Sequence, residues 1–166
     1  MENKIQLKQA TTPTDFLVAK KLIFEYAEWL AFDLSFQNFN EEINTLAETY
    51  GDKNGGLFIA TKNGEAVGVA GIKRFNDKEC EVKRMFVQAD SRGFGIGKLL
   101  LTSCIELAKK LNYQMIKLDT AEYMKSAIKL YTDIGFIETP AYRYNPHEHA
   151  RYFELDLKTN INRSII

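Results

Sequence analysis

The chain has 166 residues, of which 45% are apolar and 27% are charged, a balance typical of one folded domain with a buried core. Its 22 lysines and arginines equal its 22 aspartates and glutamates, so the formal net charge is zero. A neutral chain is not expected to be a dedicated binder of nucleic acid or anionic membranes, and no apolar run is long enough to span a bilayer. Two cysteines on apolar faces, and an N-terminus without a signal-peptide pattern, lead us to expect a cytoplasmic protein without disulfides.

The first half of the chain predicts a strand, two helices and then three antiparallel strands. The first strand is expected over residues 4–10. The sequence Thr12-Pro13-Thr14-Asp15 predicts a helix start, in which Thr12 is the N-cap, Pro13 opens the helix and Asp15 bonds back to the cap. A second helix is expected from about Asn40 to Gly51. Turns at Asn63-Gly64 and Asn76-Asp77 then connect three expected strands, 57–61, 66–75 and 79–87.

The second half of the chain predicts helices that alternate with strands. Apolar residues at three-four spacing from Ile96 to Leu111 predict a helix after a glycine-rich turn. A further helix is expected over about Met124 to Ile134, and three strands are expected at 115–120, 142–145 and 150–157, the first parallel to the strand before it. The order predicts an α+β fold with a mixed sheet of about seven strands and four helices. We expect a single domain over residues 1–157, followed by a tail, 158–166.

The glycine-rich turn Ser91–Lys98 is the first candidate for a functional site. Gly93, Gly95 and Gly97 follow a predicted strand and open a predicted helix. Glycines adopt positive φ and let a ligand approach the backbone closely, and the N–H groups of a first helical turn have no acceptor within the helix. The helix dipole adds partial positive charge at the same end, so the pattern predicts a phosphate-binding turn.

Spacing separates three kinds of phosphate-binding turn. A nucleotide P-loop is excluded because Arg92 stands where its first glycine belongs and Leu99 where its Ser or Thr belongs. The dinucleotide pattern G-x-G-x-x-G is excluded because its last position is Lys98 or Leu100. The remaining pattern, Arg-x-x-Gly-x-Gly from Arg92, resembles the acetyl-coenzyme A signature of the GNAT superfamily of N-acyltransferases. Residues 127–136 resemble a second signature of that family, Ala-x-x-x-Tyr-x-x-x-Gly-Phe, in the expected order along the chain.

The resemblance implies acetyl-coenzyme A as the cosubstrate. It implies a GNAT-like sheet that splays between its fourth and fifth strands after a bulge in the fourth. It also implies that backbone amides of the turn hold the pyrophosphate and that backbone groups of the fourth strand pair with the pantetheine arm. The residues implied for cofactor binding are Phe86, Val87, Arg92, Gly93, Phe94, Gly95, Ile96, Gly97 and Lys98.

Two residues are candidates for catalysis, because acyl transfer to an amine needs a neutral amine and a proton for the departing thiolate. Tyr131 falls on the signature tyrosine, which the resemblance implies is the proton donor; the alternative is a packed helix aromatic. Glu81 precedes Arg92 by about the spacing of the general-base glutamate in histone-type members; the alternative is a solvated strand carboxylate. The sequence departs from the pattern at Met124, where many members carry an asparagine that contacts the cofactor.

The acceptor pocket is implied to lie between the first two helices and the last hairpin. Its candidate residues are Trp29, Asp33, Tyr144 and Asn145, and aromatic rings with one acid suit an amine on an apolar body. For Trp29 the alternative is a core residue of the first helix. His147 and His149 have no third ligand at a recognisable spacing, so we expect no metal.

The function expected from the resemblance is transfer of an acetyl group from acetyl-coenzyme A to a primary amine of a small molecule or peptide. The amine would attack directly in a ternary complex. The alternative is a non-catalytic module that binds or senses acyl-coenzyme A. We expect no nucleic-acid or membrane partner, and the resemblance implies that exposed final strands can pair two copies into a homodimer.

Overall fold

The computed structural model describes residues 2–30, 34, 38–51 and 53–158. Within these residues the elements follow one another as β1 (Ile5–Gln9), α1 (Pro13–Leu30), α2 (Phe39–Asn44), α3 (Leu46–Tyr50), β2 (Gly56–Lys62), β3 (Glu65–Arg74), β4 (Glu79–Val87), α4 (Ile96–Lys110), β5 (Met115–Ala121), α5 (Lys125–Ile134), β6 (Ile137–Thr139) and β7 (Ala150–Asp156). The strands form one sheet in the order β1-β2-β3-β4-β5-β7-β6, in which only β4 and β5 are parallel neighbours. The predicted α+β class and mixed seven-stranded sheet are therefore confirmed.

Two predicted elements differ from the structure. The single helix expected from Asn40 is two short helices, because Thr45 leaves the helical region at φ −131° and its N–H bonds back to the Glu42 carbonyl. The strand expected at 142–145 is wrong: its place in the sheet is taken by β6 directly after α5. Gly135 ends α5 at φ 119° and turns the chain at once, and Pro140 ends the strand because it has no N–H to donate.

The start of α1 is as predicted and fixes the helix that covers β3 and β4. The Asp15 N–H donates to Thr12 Oγ1 at 3.2 Å, and Asp15 Oδ2 accepts the N–H groups of Thr11 and Thr12 at 3.0 and 3.1 Å. The Lys8 ammonium lies 2.8 Å from Asp15 Oδ1. The bond from Lys8 and the two backbone N–H groups hold the pKa of this carboxyl well below its usual range.

The core lies on both faces of the sheet. Alternate residues of β2 and β3 point to opposite faces, so Ala60 and Ala70 pack with α4 while Ile59 and Val69 pack with α1 and α3. Cys80 and Cys104 are free thiols buried in the α4 layer. No helix formed by the described residues is long and apolar enough to cross a membrane.

The sheet opens between its two parallel strands. The pairing of β4 with β5 covers only Glu79–Glu81 against Met115–Lys117, although β4 runs on to Val87 and β5 to Ala121. Beyond the last pair the strands diverge and leave a gap in the middle of the sheet. The predicted splay is confirmed.

A β-bulge lies beside this gap. Val69 pairs with Phe86 and Gly71 with Lys83, so β4 has one more residue than β3 over this interval, and Arg84 adopts φ 59°. The Arg84 Nε donates to Glu42 Oε2 at 2.6 Å, and the two side chains are only 2% and 4% exposed. A buried ion pair from α2 therefore holds the bulge that redirects β4 away from β5.

Candidate active site

The larger of two cavities at the splay is a cleft of about 580 Å³ between the end of β4 and the first turns of α4 and α5. It is lined by residues 85–87 of β4, by 91–93 and 95–98 of the glycine turn, by 123–127 and Leu130 of the α5 region, and by Trp29 of α1. Strand, turn and helix therefore meet around one groove.

The glycine turn presents bare main-chain donors to this cleft. Gly93 and Gly95 have φ values of 84° and 78°, which side chains other than glycine rarely adopt. The first bond within α4 is donated by the Leu99 N–H to the Gly95 carbonyl at 3.1 Å. The N–H groups that precede Leu99 in this turn have no acceptor within the helix, and together with the helix dipole they suit an anion such as a pyrophosphate.

Eight of the nine residues expected to bind the cofactor line this cleft. Phe94 does not; its ring is 43% exposed and lies under the Lys62 ammonium at 4.0 Å. The Arg92 side chain folds back along the cleft, where its Nε donates to the Val87 carbonyl at 2.9 Å and its guanidinium stacks on Trp29 at 4.9 Å. Arg92 therefore ties the glycine turn to the end of β4.

The smaller cavity, of about 100 Å³, lies in the gap between β4 and β5. Among its lining residues are Lys83, Asp119, Tyr131, Asn145 and His147. Three further residues, Met85, Met124 and Ala127, line both cavities. The two cavities are therefore adjacent chambers with a shared wall.

Tyr131 lies in the smaller chamber on the inner face of α5. It is 6% exposed and packs against the rings of Phe136 and Phe153, at centroid distances of 5.8 and 6.2 Å. Burial raises the pKa of its phenol well above the ordinary value of 10, and the nearby Tyr26 and Asp119 raise it further. The hydroxyl is therefore protonated at neutral pH and can act as a proton donor.

Glu81 lies behind the chambers, at the last position at which β4 pairs with β5, and lines neither chamber. It is 2% exposed; its Oε2 accepts the Tyr142 hydroxyl at 2.9 Å, and its Oε1 lies 3.1 Å from the Arg143 guanidinium. The structure thus does not bring Glu81 together with Tyr131. It also shows what residues 142 and 143 do instead of forming a strand: they cover this carboxylate.

The three expected acceptor residues that the structure describes are dispersed. Asn145 lines the smaller chamber, whereas Trp29 lines the larger cleft. Tyr144 is 78% exposed and lines neither. Asp33 lies outside the described residues. No group of three His, Cys, Asp or Glu side chains within the described part of the chain could hold a metal ion.

Two charged residues of the smaller chamber, Lys83 and Asp119, were missed by the sequence analysis. The Asn145 Nδ2 donates to Asp119 Oδ2 at 3.1 Å. Burial lowers the pKa of the Lys83 ammonium from 10.5 to about 8, although Glu81 and Asp119 act in the opposite direction. One available signal was the position of Asp119 near the carboxyl end of the strand parallel to β4, because ligands bind at that end of parallel strands.

Residues 22–136, more than half of the chain, match the family model described as the acetyltransferase (GNAT) family. The chain belongs to this family of acetyltransferases. It is 32% identical to an uncharacterized N-acetyltransferase of Schizosaccharomyces pombe over 157 residues, which cover 93% of this chain and 96% of the relative.

Solved structures show the same fold. A GNAT acetyltransferase of Staphylococcus aureus aligns with a TM-score of 0.77 and 22% identity, over 93% of this chain and 99% of that one. A GNAT acetyltransferase of Elizabethkingia anophelis with acetyl-coenzyme A bound aligns with a TM-score of 0.61 and 19% identity, over 92% and 97%. Acetyl-coenzyme A is thus bound by a protein of this fold.

Proposed function

We propose that this enzyme transfers the acetyl group of acetyl-coenzyme A to a primary amine of a small molecule or peptide, by direct attack in a ternary complex. The observation that carries the proposal is the wall of Met85, Met124 and Ala127 shared by the two chambers. A thioester that enters from the larger cleft and an amine that enters from the smaller chamber can meet there. Direct transfer then needs no covalent intermediate on the protein.

The larger cleft fits acetyl-coenzyme A, which supplies the activated acetyl group. The amides of the turn between Gly93 and Lys98 hold its pyrophosphate, and the backbone of Phe86 and Val87 is available for the pantetheine arm. Arg92 holds the two parts together through the Val87 carbonyl. The glycines supply the close approach, because a side chain on this turn would stand between the anion and the amides.

Tyr131 donates the proton that the departing thiolate needs. As the amine nitrogen bonds to the carbonyl carbon, the carbon–sulfur bond breaks and its electron pair leaves on sulfur. Tyr131 is protonated, buried and in the chamber that borders the cofactor cleft. The donor and the sulfur therefore approach each other from the two chambers and meet at the shared wall.

The general-base role of Glu81 stays a prediction, and it requires a proton path from the smaller chamber to the Glu81 carboxylate. Because neither Glu81 nor Tyr142, which bonds it, lines a chamber, a proton from the amine reaches this carboxylate only through further groups between them and the smaller chamber. The homodimer also stays a prediction; its expected contact includes β6, a three-residue strand at the edge of the sheet.

The proposal is tested by two measurements on the whole chain. Calorimetry with acetyl-coenzyme A should show one site per chain, and a thiol-release assay with acetyl-coenzyme A should identify at least one primary amine that is turned over. Binding without thiol release from any amine of a broad panel would favour the non-catalytic module. Absence of binding would overturn the assignment of the larger cleft.

A substitution at Gly97 should weaken cofactor binding without destabilising the fold. Gly97 does not have a positive φ, and an added Cβ would lie 3.5 Å from Leu130 Cδ2 and 3.6 Å from Met85 Cε, which is ordinary contact. Because alanine is the better helix former, Gly97→Ala should stabilise α4, by up to about 1 kcal/mol. Since the methyl group enters the cleft, the dissociation constant of acetyl-coenzyme A should rise about tenfold.

The matched control is Thr102→Ala, an exposed position of the same helix outside the cleft. It should raise helix stability slightly and leave the calorimetric dissociation constant unchanged. Equal affinities of wild type and Gly97→Ala would contradict the proposed cradle.

A further inference from the structure

We propose that the acceptor is a small amino carboxylate, a molecule with a carboxylate close to its primary amine, and that Lys83 and Asp119 recognise these two groups. This inference rests on the proposed function and names the substrate class of the same site. It concerns two residues that neither family signature includes.

Lys83 and Asp119 occupy equivalent places on the two diverging strands. The last pair between β4 and β5 is Glu81 with Lys117. Side chains two residues apart in a strand point to the same face, so the next side chains on that face are Lys83 on β4 and Asp119 on β5. Both line the smaller chamber, and each stands where the gap between the strands begins to widen. A positive and a negative group thus flank one small space.

Other charged side chains around this space form ion pairs within the protein. Arg84 is paired with Glu42 at 2.6 Å, Arg143 with Glu81 at 3.1 Å and Lys117 with Glu79 at 3.4 Å. Of these paired residues Arg84 also lines the chamber, next to Lys83 and Asp119, and its carboxylate partner Glu42 lies outside it. Lys83 is buried and Asp119 is half-buried, and a ligand that enters between these opposite charges is bound best when it carries the complementary pair.

The remaining features of the chamber agree with a zwitterionic ligand. The Asn145 amide donates to one oxygen of Asp119 and orients the carboxylate. Its remaining lone pairs can accept from the ammonium of the incoming substrate and then take the proton that the amine must lose before it attacks. The groups that act electrostatically on Lys83 are Glu81, Arg84, Asp119 and Arg143, and despite two cations among them Lys83 is protonated at neutral pH. It can therefore bind a carboxylate under physiological conditions.

The chamber is small, with a volume of about 100 Å³. It has room for the amino and carboxylate groups of a small amino acid. A linear polyamine would instead place a second cation beside Lys83.

The test compares each amino acid of a panel with its own carboxamide, which keeps the amine and loses the negative charge. Wild-type enzyme should acetylate at least one amino acid with a kcat/KM about 10- to 100-fold above that of the amide. Lys83→Met should abolish this preference, because it should raise KM much more for the acid than for the amide, while the affinity for acetyl-coenzyme A changes little. Asp119→Asn should raise KM for both compounds.

Lys78→Met is the matched control, because Lys78 is exposed in the turn just before β4 and lines neither chamber. It should retain the wild-type preference. Better turnover of amides or simple amines by wild type, or an equal loss on both compounds in Lys83→Met, would overturn the inference and leave the proposed function intact. Binding of acetyl-coenzyme A without turnover of any amine would instead overturn the proposed function itself.

Discussion

Replacing Tyr131 by phenylalanine is expected to lower kcat about 10²- to 10⁴-fold, the usual contribution of a positioned general acid. The substitution removes one oxygen from a ring that is held by Phe136 and Phe153, so the fold and the larger cleft should not change. Acetyl-coenzyme A affinity, measured by calorimetry, should therefore stay within about twofold of wild type. The loss should appear in the thiol-release assay with any accepted amine.

The pH profile tests the protonation state assigned to Tyr131. Because burial holds the pKa of Tyr131 well above 10, the hydroxyl stays protonated through the assay range. Below pH 10, therefore, deprotonation of Tyr131 should not lower the wild-type kcat, and the pH profiles of wild type and Tyr131→Phe should have the same shape. Tyr113→Phe is the control, since this phenol donates to the Asn54 carbonyl outside both chambers. Full activity of Tyr131→Phe would exclude the assigned role.

Replacing Glu42 by glutamine is expected to lower the free energy of unfolding by about 3–5 kcal/mol, the typical cost of removing one partner from a buried ion pair. The change leaves the Arg84 guanidinium charged, 2% exposed and without the carboxylate at 2.6 Å. The partner that is left behind, Arg84, is the residue with positive φ in the bulge of β4. Urea denaturation measures the loss.

Two further variants test whether this loss of stability comes from the buried ion pair. Glu41→Gln changes the neighbouring, exposed carboxylate and should alter stability by no more than about 0.5 kcal/mol. The double variant Glu42→Met with Arg84→Met replaces the pair by apolar side chains of similar length and should recover most of the stability. Stability of Glu42→Gln equal to that of wild type would show that the pair does not hold the bulge.

Features set by neighbouring residues were predictable from the sequence. The start of α1 depends on Thr12 and Asp15, which are three residues apart. The glycine turn likewise depends on residues that are close together in the sequence. The strand expected at 142–145 failed because Tyr142 and Tyr144 alternate as in a strand, although Tyr142 is used to bond Glu81. A local pattern could not show that the partner of Tyr142 is a side chain 61 residues away.

The smaller chamber could not be predicted because it depends on where two strands stop pairing. Sequence alternation placed Glu81 and Lys83 on one face of β4, but not the end of the pairing at Glu81 and Lys117. That end follows from the bulge at Arg84, which is held by Glu42 at a separation of 42 residues. Glu81 and Lys83 are two residues apart, yet only Lys83 lines the chamber.

The methionines of the shared wall bear on which donors the enzyme accepts. A methionine side chain is unbranched and can rearrange around three rotatable bonds, so a partition built from Met85 and Met124 yields more easily than one of valine or isoleucine. The Thr120 hydroxyl donates to the Met124 sulfur at 3.3 Å, which anchors one of the two thioethers. We therefore expect the tolerated length of the acyl chain to depend on how far Met85 can swing aside.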